Sequence, residues 1–419
     1  MAETAGSGPT SVLKIRNFSL LLIGRLVSAS GASVFYLVTT WLIYDQTKST
    51  LFLALFALCQ FLPGVTFGLL AGAISDRYDR RKLAIFADLA RAACVSLLAL
   101  SLFFWGFNVS FLLIVAVLAS TLSSIFRPSI AALLTSIVKG TKDVQNAHGF
   151  LDSALPITQS ASSALAGLII VSVGAIFGLV YNSFAYLFSA TILLLIIMPK
   201  VQPSTSQEVK KKRSLTEDMK EGLAYMRDHK GILQITLASM SFNFFSALSW
   251  PFFVEYSKTF LGPSALYYTA IVGAFSLGLS IGSILVGRIN AVKFAGRLFG
   301  LSNALYGFGF LFMILAPNLY LAIAIQLTNG ILLGLYNTTF HSLIQLIVPS
   351  KIIGRIRSID EVGSYGTIPL SQVFAVFAIS FAGLGPTFLL SGVGALLTGL
   401  VMLSLRDLRN LSYLEPLPS

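Results

Sequence analysis

The chain has 419 residues, 55% of them hydrophobic and only 11% charged, with a mean hydropathy of +0.82. Soluble domains carry about 25% charged residues, so this composition excludes a water-soluble protein and reads as an integral membrane protein. The net charge of +12 would suit a nucleic-acid partner, but its placement follows the membrane instead.

The first ten residues, MAETAGSGPT, are small and polar, and the apolar run that begins at Phe18 is too long for a cleavable signal peptide. It reads as a first span, since about 20 mainly apolar residues cross a bilayer. Spans are expected at 18–43, 51–74, 82–104, 109–138, 150–173 and 175–198. A polar stretch follows, with Pro199, QPSTSQ and the basic run Lys210–Arg213, and then LTEDMKEGLAYMRDHK at 215–230, which suits a short surface helix or a solvated linker. Six more spans are expected at 232–256, 265–288, 293–316, 319–348, 356–382 and 386–405. The fourth and tenth runs are long enough to tilt or to project beyond the bilayer. The expected organisation is therefore a six-helix half at 1–198, a linker at 199–230 and a second six-helix half at 231–419.

With the N-terminus placed in the cytoplasm, Lys48 and Lys258 face outward and Arg25, Arg91 and Arg127 lie inside spans. Every other lysine and arginine falls on the inner side. This asymmetry predicts both termini inside, by the preference of Lys and Arg for cytoplasmic loops. It also accounts for the basic charge without a nucleic acid.

Adding 210 to positions in the first half lands on related residues in the second. Gly68 and Gly72 map to Gly278 and Gly282, Asp45 and Lys48 to Glu255 and Lys258, and Ile137-Val138 to Ile347-Val348. Two halves repeated in the same orientation match the parallel-repeat plan of a large transporter class.

The stretch GLLAGAISDRYDRRKL, residues 68–83, breaks this repeat, because Asp76 maps to Val286 and Arg77 to Gly287. Its string G-x-x-x-D-R-x-x-R-R, made by Gly72, Asp76, Arg77, Arg80 and Arg81, resembles the signature loop of the major facilitator superfamily. Asp79 in place of the usual glycine resembles the bacterial macrolide-efflux branch, which groups with drug:proton antiporters. DLARA at 88–92, FRPSIAALLTSIV at 126–138, EGLAYMRDHKGIL at 221–233 and IGRIRSI at 353–359 extend the likeness over essentially the whole chain.

The resemblance implies an all-α membrane fold of twelve transmembrane helices in two pseudo-repeat halves that work by alternating access. It also implies that the loop is a conformational latch, in which Asp76 meets the N-terminus of the eleventh helix near Gly354–Arg355 and holds the cytoplasmic face shut. A helix N-terminus favours a carboxylate by about 0.3–1 kcal/mol when exposed and up to about 2 when partly buried. The chain departs from the drug:proton antiporter pattern in its fifth span. SASSALAG at 160–167 lacks the Gly-Pro pair often found there, although Pro156 lies earlier.

Charged groups inside a membrane are costly and are candidates for function. The first half holds Arg25, Asp88, Arg91, Arg127 and Asp152 within its spans. Asp88 and Arg91, three apart on one helix face, are placed to neutralise each other. Arg127 precedes Pro128 in the fourth span, which lines the cavity in the family that the chain resembles. It could bind an anionic group, pair with Asp152 or bias a coupling acid. Asp88, Asp152 and Arg127 are therefore the proton-coupling candidates. In the second half the spans carry amides, Asn337 among them, and His341, which could titrate near neutral pH or serve as a packing residue. Arg25, Tyr36, Phe244, Trp250, Tyr336, Asn337 and His341 are the candidate substrate contacts, since an aromatic cavity with few polar groups suits bulky amphipathic compounds. Asp45 and Glu255, near Lys48 and Lys258, read as rim salt bridges or as outer-gate and proton-access groups.

Cys59 and Cys94 lie in apolar runs, the three histidines are far apart and no GxxxxGK[ST] string occurs, so no metal, cofactor or ATP site is expected. No nucleophile constellation supports an enzyme. The expected partners are a small-molecule substrate, protons and the lipid bilayer, with no nucleic acid and a monomeric chain. The expected activity is proton-coupled export of hydrophobic or amphipathic, macrolide-like compounds across a prokaryotic inner membrane. Export of an anionic natural product such as a siderophore or lysolipid, through Arg25 and Arg127, is the first alternative. A non-transporting membrane sensor is the second.

Overall fold

A computed structural model describes residues 9–138, 140–197, 215–289, 294–315, 318–349 and 352–406. In this register an all-helical chain follows directly from the solvent. Hydrocarbon offers no hydrogen bonds, so each span must satisfy its own backbone, and an α-helix does so within one segment. Six helices come first: α1 (Arg16–Thr47), α2 (Thr50–Arg77), α3 (Arg80–Trp105), α4 (Val109–Ile137), α5 (Thr141–Ser172) and α6 (Ala175–Leu195). The short α7 (Leu215–Asp228) precedes α8 (Lys230–Leu248), and a one-turn α9 (Phe253–Tyr256) belongs to the same span. Then come α10 (Ala265–Ile289), α11 (Ala295–Leu315), α12 (Leu319–Ile347), α13 (Ile353–Ala382) and α14 (Leu384–Ser404). Twelve of these segments are long and apolar enough to cross a membrane.

Many large apolar side chains are left uncovered, with Trp105 82% and Phe381 89% exposed. Water would not tolerate so many, whereas lipid does. The expected spans hold to within a few residues, with two exceptions. The fifth helix starts at Thr141, nine residues before the expected edge, because its polar first turns are helical although they are not hydrophobic. The seventh span does not run through to residue 256 as one helix. It stops at Leu248, and Pro251, which has no amide hydrogen to give, sits in the 3-10 turn Trp250–Phe252 that follows.

The chain forms two compact units, one of residues 1–202 with 264–273 and the other of residues 203–263 with 274–419. In the first, α1 lies against α5 and α6, α3 against α4 and α6, and α2 against α4. A core of Phe18, Leu21, Ala84, Ala87, Phe126, Leu133 and Leu193 joins four of these helices. In the second, α11 lies against α12 and α14, while α8 lies against α13 and α14. Phe299, Tyr336, Phe340, Leu343 and Ile356 form part of its core.

The repeat is visible in helix ends as well as in sequence. α4 and α12 are the same length and are displaced by 210 positions at both ends. Asn108 caps α4 by accepting from Phe111 N, and Asn318 caps α12 by accepting from Tyr320 N and Leu321 N. An Asn cap satisfies one or two of the four orphan amides of a helix start. Both helices end by bonding an extended valine, Val138 to Leu134 O and Val348 to Ile344 O.

α7 is not a free linker, because it docks on α13. Glu221 Oε1 lies 2.6 Å from Arg355 Nη1, and a Cβ added at Gly222 would meet Ile359 and Arg355. Tyr225 stacks on His229 at 4.0 Å, and burial pushes its phenol above the usual range.

Gly278 and Gly282 of α10 show why small residues were placed there. A Cβ at either would collide with a backbone carbonyl of α12, Leu327 O or Ile331 O respectively. Gly330 and Gly334 of α12 return the contact against Phe275 O and Leu279 O. Such backbone-to-backbone approach is how helices gain dispersion contacts where lipid removes the hydrophobic drive. Gly282→Ala is expected to destabilise the protein by about 1–3 kcal/mol, the usual range for overpacking. Gly64→Ala, with nothing within 4 Å, is expected to be neutral or slightly stabilising. Thermal melts followed by fluorescence-detected gel filtration compare the two.

Candidate functional site

A polar cluster within the spans is built where α1, α3, α4 and α6 meet in the first unit. Asp88 is fully buried and Arg91 is 3% exposed, and Arg91 Nη2 pairs with Asp88 Oδ1. Arg91 Nε donates to Ala87 O at 3.3 Å and Nη1 to Ser123 Oγ at 3.2 Å. Its guanidinium also lies 4.2 Å from the centre of the Phe126 ring and 4.3 Å from that of Tyr186. Cation–π contacts reach about 2 kcal/mol or more when water is excluded. The expected mutual neutralisation of Asp88 and Arg91 is thus realised as an ion pair within one helix turn.

Arg25 of α1 reaches the same aromatic ring, 5.6 Å from Phe126, and lies within electrostatic reach of Arg91, Arg127 and Asp88. Arg127 is exposed, one residue along α4 from the buried Phe126. Among the described residues the cluster therefore holds three guanidiniums and one carboxylate. A guanidinium stays protonated at any physiological pH, so the surplus positive charge is permanent. The arrangement can attract an anion or a carboxylate. The side chain of Asp152, the expected partner of Arg127, lies outside the described residues.

Of the expected latch residues, Gly72, Asp76 and Arg77 lie on the last turns of α2, and their side chains are outside those described. The rest of the loop is bound to its own unit. Asp79 is the N-cap of α3 and accepts from Arg81 N at 2.9 Å and Lys82 N at 3.0 Å. Arg80 reaches Ala132 O and Ser136 Oγ on α4, each at 3.4 Å. Arg81 donates through Nε to Leu193 O at 2.8 Å and through Nη2 to Leu194 O. These two carbonyls lie in the last turn of α6, where Leu193 O also accepts from Ile196 N at 3.4 Å and a cation is favoured.

Among the remaining candidates, Tyr36 is half-buried with its ring 5.7 Å from Phe56. In the second unit, Phe244 is half-buried against Phe245 and Phe374, and Trp250 lies edge-on to Phe253 and Phe275. Tyr336 is 2% exposed and is packed among Phe242, Phe299 and Phe340, which makes it part of the unit's core. Asn337, the next residue, is exposed. His341 lines a cavity of about 70 Å³ with Phe340, Ile344, Ile356, Arg357 and Asp360.

Asp360 was not among the expected groups. It is buried on α13 and accepts from Ser364 Oγ at 3.2 Å, and that hydroxyl lies 3.2 Å from Ser239 Oγ on α8. The signal was available as an Asp-Glu pair inside the expected span 356–382. Asp45 pairs with Lys48 at 3.3 Å on an exposed rim, as expected, whereas its repeat partner Glu255 is half-buried. No group of three His, Cys, Asp or Glu side chains converges as a metal site among the described residues.

A family model described as transmembrane secretion effector matches residues 7–416. An uncharacterised MFS-type transporter, YvqJ of Bacillus subtilis, is 24% identical over 395 residues, covering 93% of this chain and 92% of that protein. Macrolide efflux protein A of Streptococcus pyogenes is 22% identical over 402 residues, covering 94% and 97%. Multidrug efflux pump Tap of Mycobacterium tuberculosis is 24% identical over 405 residues, covering 94% of each chain. Among solved structures, a POT peptide transporter in complex with alafosfalin aligns with a TM-score of 0.71 at 12% identity, covering 94% and 95%. A D-xylose-proton symporter aligns at 0.70 and 15% identity, covering 96% and 98%.

Removing one partner of a buried ion pair costs about 3–5 kcal/mol, because it strands the other charge. Arg91→Met is expected to lose about that much and to yield little folded protein. Asp88→Leu combined with Arg91→Met is expected to recover most of the loss, as read by thermal melts in detergent.

Proposed function

Because the chain belongs to the transmembrane secretion effector family of major facilitator transporters, we propose that it exports hydrophobic or amphipathic, macrolide-like compounds by alternating access, in exchange for protons. The observation that carries the efflux reading is the end-to-end likeness to two proteins named for macrolide and multidrug efflux. The half-buried aromatic rings of Tyr36, Phe244 and Trp250 support it, since large flat side chains accept varied apolar ligands without a dedicated hydrogen-bond pattern. The one-sided distribution of Lys and Arg supports a bacterial plasma-membrane protein with both termini in the cytoplasm.

One proton is enough to drive useful efflux. Moving a unit charge through about 100 mV yields about 2.3 kcal/mol, which corresponds to about a 50-fold gradient of a neutral substrate. Of Asp88, Asp152 and Arg127, only the two carboxylates can carry the proton, because Arg127 has none to release at physiological pH. Asp88 is committed to Arg91, so Asp152 is the preferred coupling acid, with Arg127 biasing its ionisation. Proteoliposomes loaded with ethidium or erythromycin and given a pH jump test this. Wild type is expected to move the probe against its gradient, and Asp152→Asn is expected to lose at least tenfold of the pH-driven component. Transport that ignores the pH gradient in wild type would sink the coupling.

A second reading has a specific observation behind it, the excess of guanidinium over carboxylate around Arg25, Arg91 and Arg127. Under that reading the substrate is anionic. A lysophosphatidylglycerol arm in the same assay separates the two, because Arg127→Ala would then abolish anion movement and spare ethidium.

The latch reading of Gly72, Asp76, Arg77, Arg80 and Arg81 enters the proposal as a gate on rate. Asp76→Ala is expected to lower the turnover of ethidium severalfold while the melting temperature stays within about 2 °C of wild type, since a gate stabilises one conformation and not the fold. An unchanged rate in the well-folded variant would reduce the loop to topology.

A further inference from the structure

The last part of the seventh span carries a carboxylate that nothing so far uses. After α8 ends at Leu248 the chain changes its winding three times. It makes a 3-10 turn at Trp250–Phe252, the single α-helical turn α9, and a π-helical turn at Ser257–Leu261. Gly262, at φ 125°, then turns the chain toward α10. Such departures weaken backbone hydrogen bonding and are frequent at functional sites.

Glu255 sits in the middle of this segment. Pro251, Phe252, Phe253, Val254 and Tyr256 around it are buried, and its own Oε2 is buried with no hydrogen-bond partner among the described residues. The neighbouring tyrosine cannot serve it, because Tyr256 Oη donates to Met313 O at 2.8 Å and its ring stacks on Phe388. Among the described residues, α8, α11 and α14 bring no cation close to the segment. α14 contains no charged residue, and the charges of α8 and α11 sit at their far ends. Lys230 is about 27 Å from the end of α8, and Arg297 about 24 Å from Met313, at 1.5 Å per residue. Lys258, three positions on in the same segment, is half-buried and engaged in an interaction, and it leaves Oε2 without a hydrogen bond. The repeat-related Asp45 is different, being exposed and paired with Lys48.

An ionised carboxylate oxygen with no donor in an apolar setting is costly. A neutral carboxyl is not. We propose that Glu255 is a proton-binding site of the transport cycle, holding its proton in the arrangement described and releasing it when the irregular segment exposes Oε2 to water. The step moves one proton between Oε2 and a water molecule, and no other bond changes. As a coupling role this rests on the proton-exchange reading above, whereas the protonation itself does not.

Two measurements separate those claims. In infrared titrations of the purified full-length protein, wild type is expected to show a protonated-carboxyl band at neutral pH that is absent from Glu255→Gln. In proteoliposomes, ethidium accumulation driven by a pH gradient is expected to fall at least tenfold in Glu255→Gln, while ethidium counterflow at equal pH continues and Glu255→Asp recovers part of the driven rate. An identical band in Glu255→Gln, or undiminished driven accumulation in that variant, overturns the proposal. If wild type moves no ethidium in either mode, the transport reading with this probe fails and the infrared band alone decides whether Glu255 holds the proton.

Discussion

Lipid gives no hydrogen bonds, and the arrangement of polar groups in this chain follows from that single constraint. Inside the spans the backbone satisfies itself, so the critical places are helix ends and breaks. Asn108 and Asn318 close two helix starts with side-chain oxygens, and Asp79 closes a third. Arg81 supplies donors to the last carbonyls of α6, where a cation also complements the helix dipole. The basic loop after α2 therefore has structural work within its own unit, whatever it contributes to gating. Its arginines tie the start of α3 to the last turns of α4 and α6.

The same constraint explains why the ionic groups of the first unit occur as a cluster. A lone charge in hydrocarbon is too costly to keep, but Arg91 has a carboxylate, a carbonyl, a hydroxyl and two aromatic faces around it. Each contact offsets part of the lost hydration. Phe126 serves both Arg91 and Arg25, so one ring offsets part of the cost of two like charges that still repel each other. The second unit solves its packing mainly with rings and glycines. Tyr336, Phe340 and Phe299 interlock, and α10 and α12 touch backbone to backbone.

Much of this was readable from residue order, for identifiable reasons. Hydropathy over about 20 residues marks a span because the bilayer imposes both length and polarity. The repeat was legible at Gly278 and Gly282, where only glycine fits. What could not be read is which way a side chain faces. A helix that is hydrophobic all round gives no preferred direction, so Tyr336 looked like a substrate contact and is buried in the core, while its neighbour Asn337 is exposed. The break after Leu248 escaped because a single Pro251 inside an apolar run is also compatible with a kinked continuous helix, as Pro63, Pro128, Pro156 and Pro369 show. Asp360 lies only four residues inside the expected span 356–382, and residue order alone does not show that its side chain turns into the unit's interior.

The two halves have diverged in chemistry more than in shape. Arg25, Arg91 and Arg127 cannot change charge at physiological pH, so their cluster sets a constant positive field. It cannot itself carry a proton through a cycle. A proton carrier must be a group that is stable both neutral and charged, and that requires an environment able to change. Asp88 is poorly suited, since its ion pair lies within one turn of a regular helix that has little freedom to rearrange. Glu255 lies on a segment of three successive windings, where a small change of local winding costs few hydrogen bonds and alters the access of one oxygen. On these terms the first unit combines a fixed positive field with the proposed acid Asp152, and the proposed proton site at Glu255 adds a titratable group in the second unit. The link between them is then conformational, because no continuous chain of titratable groups is needed when both bias the same two-state carrier.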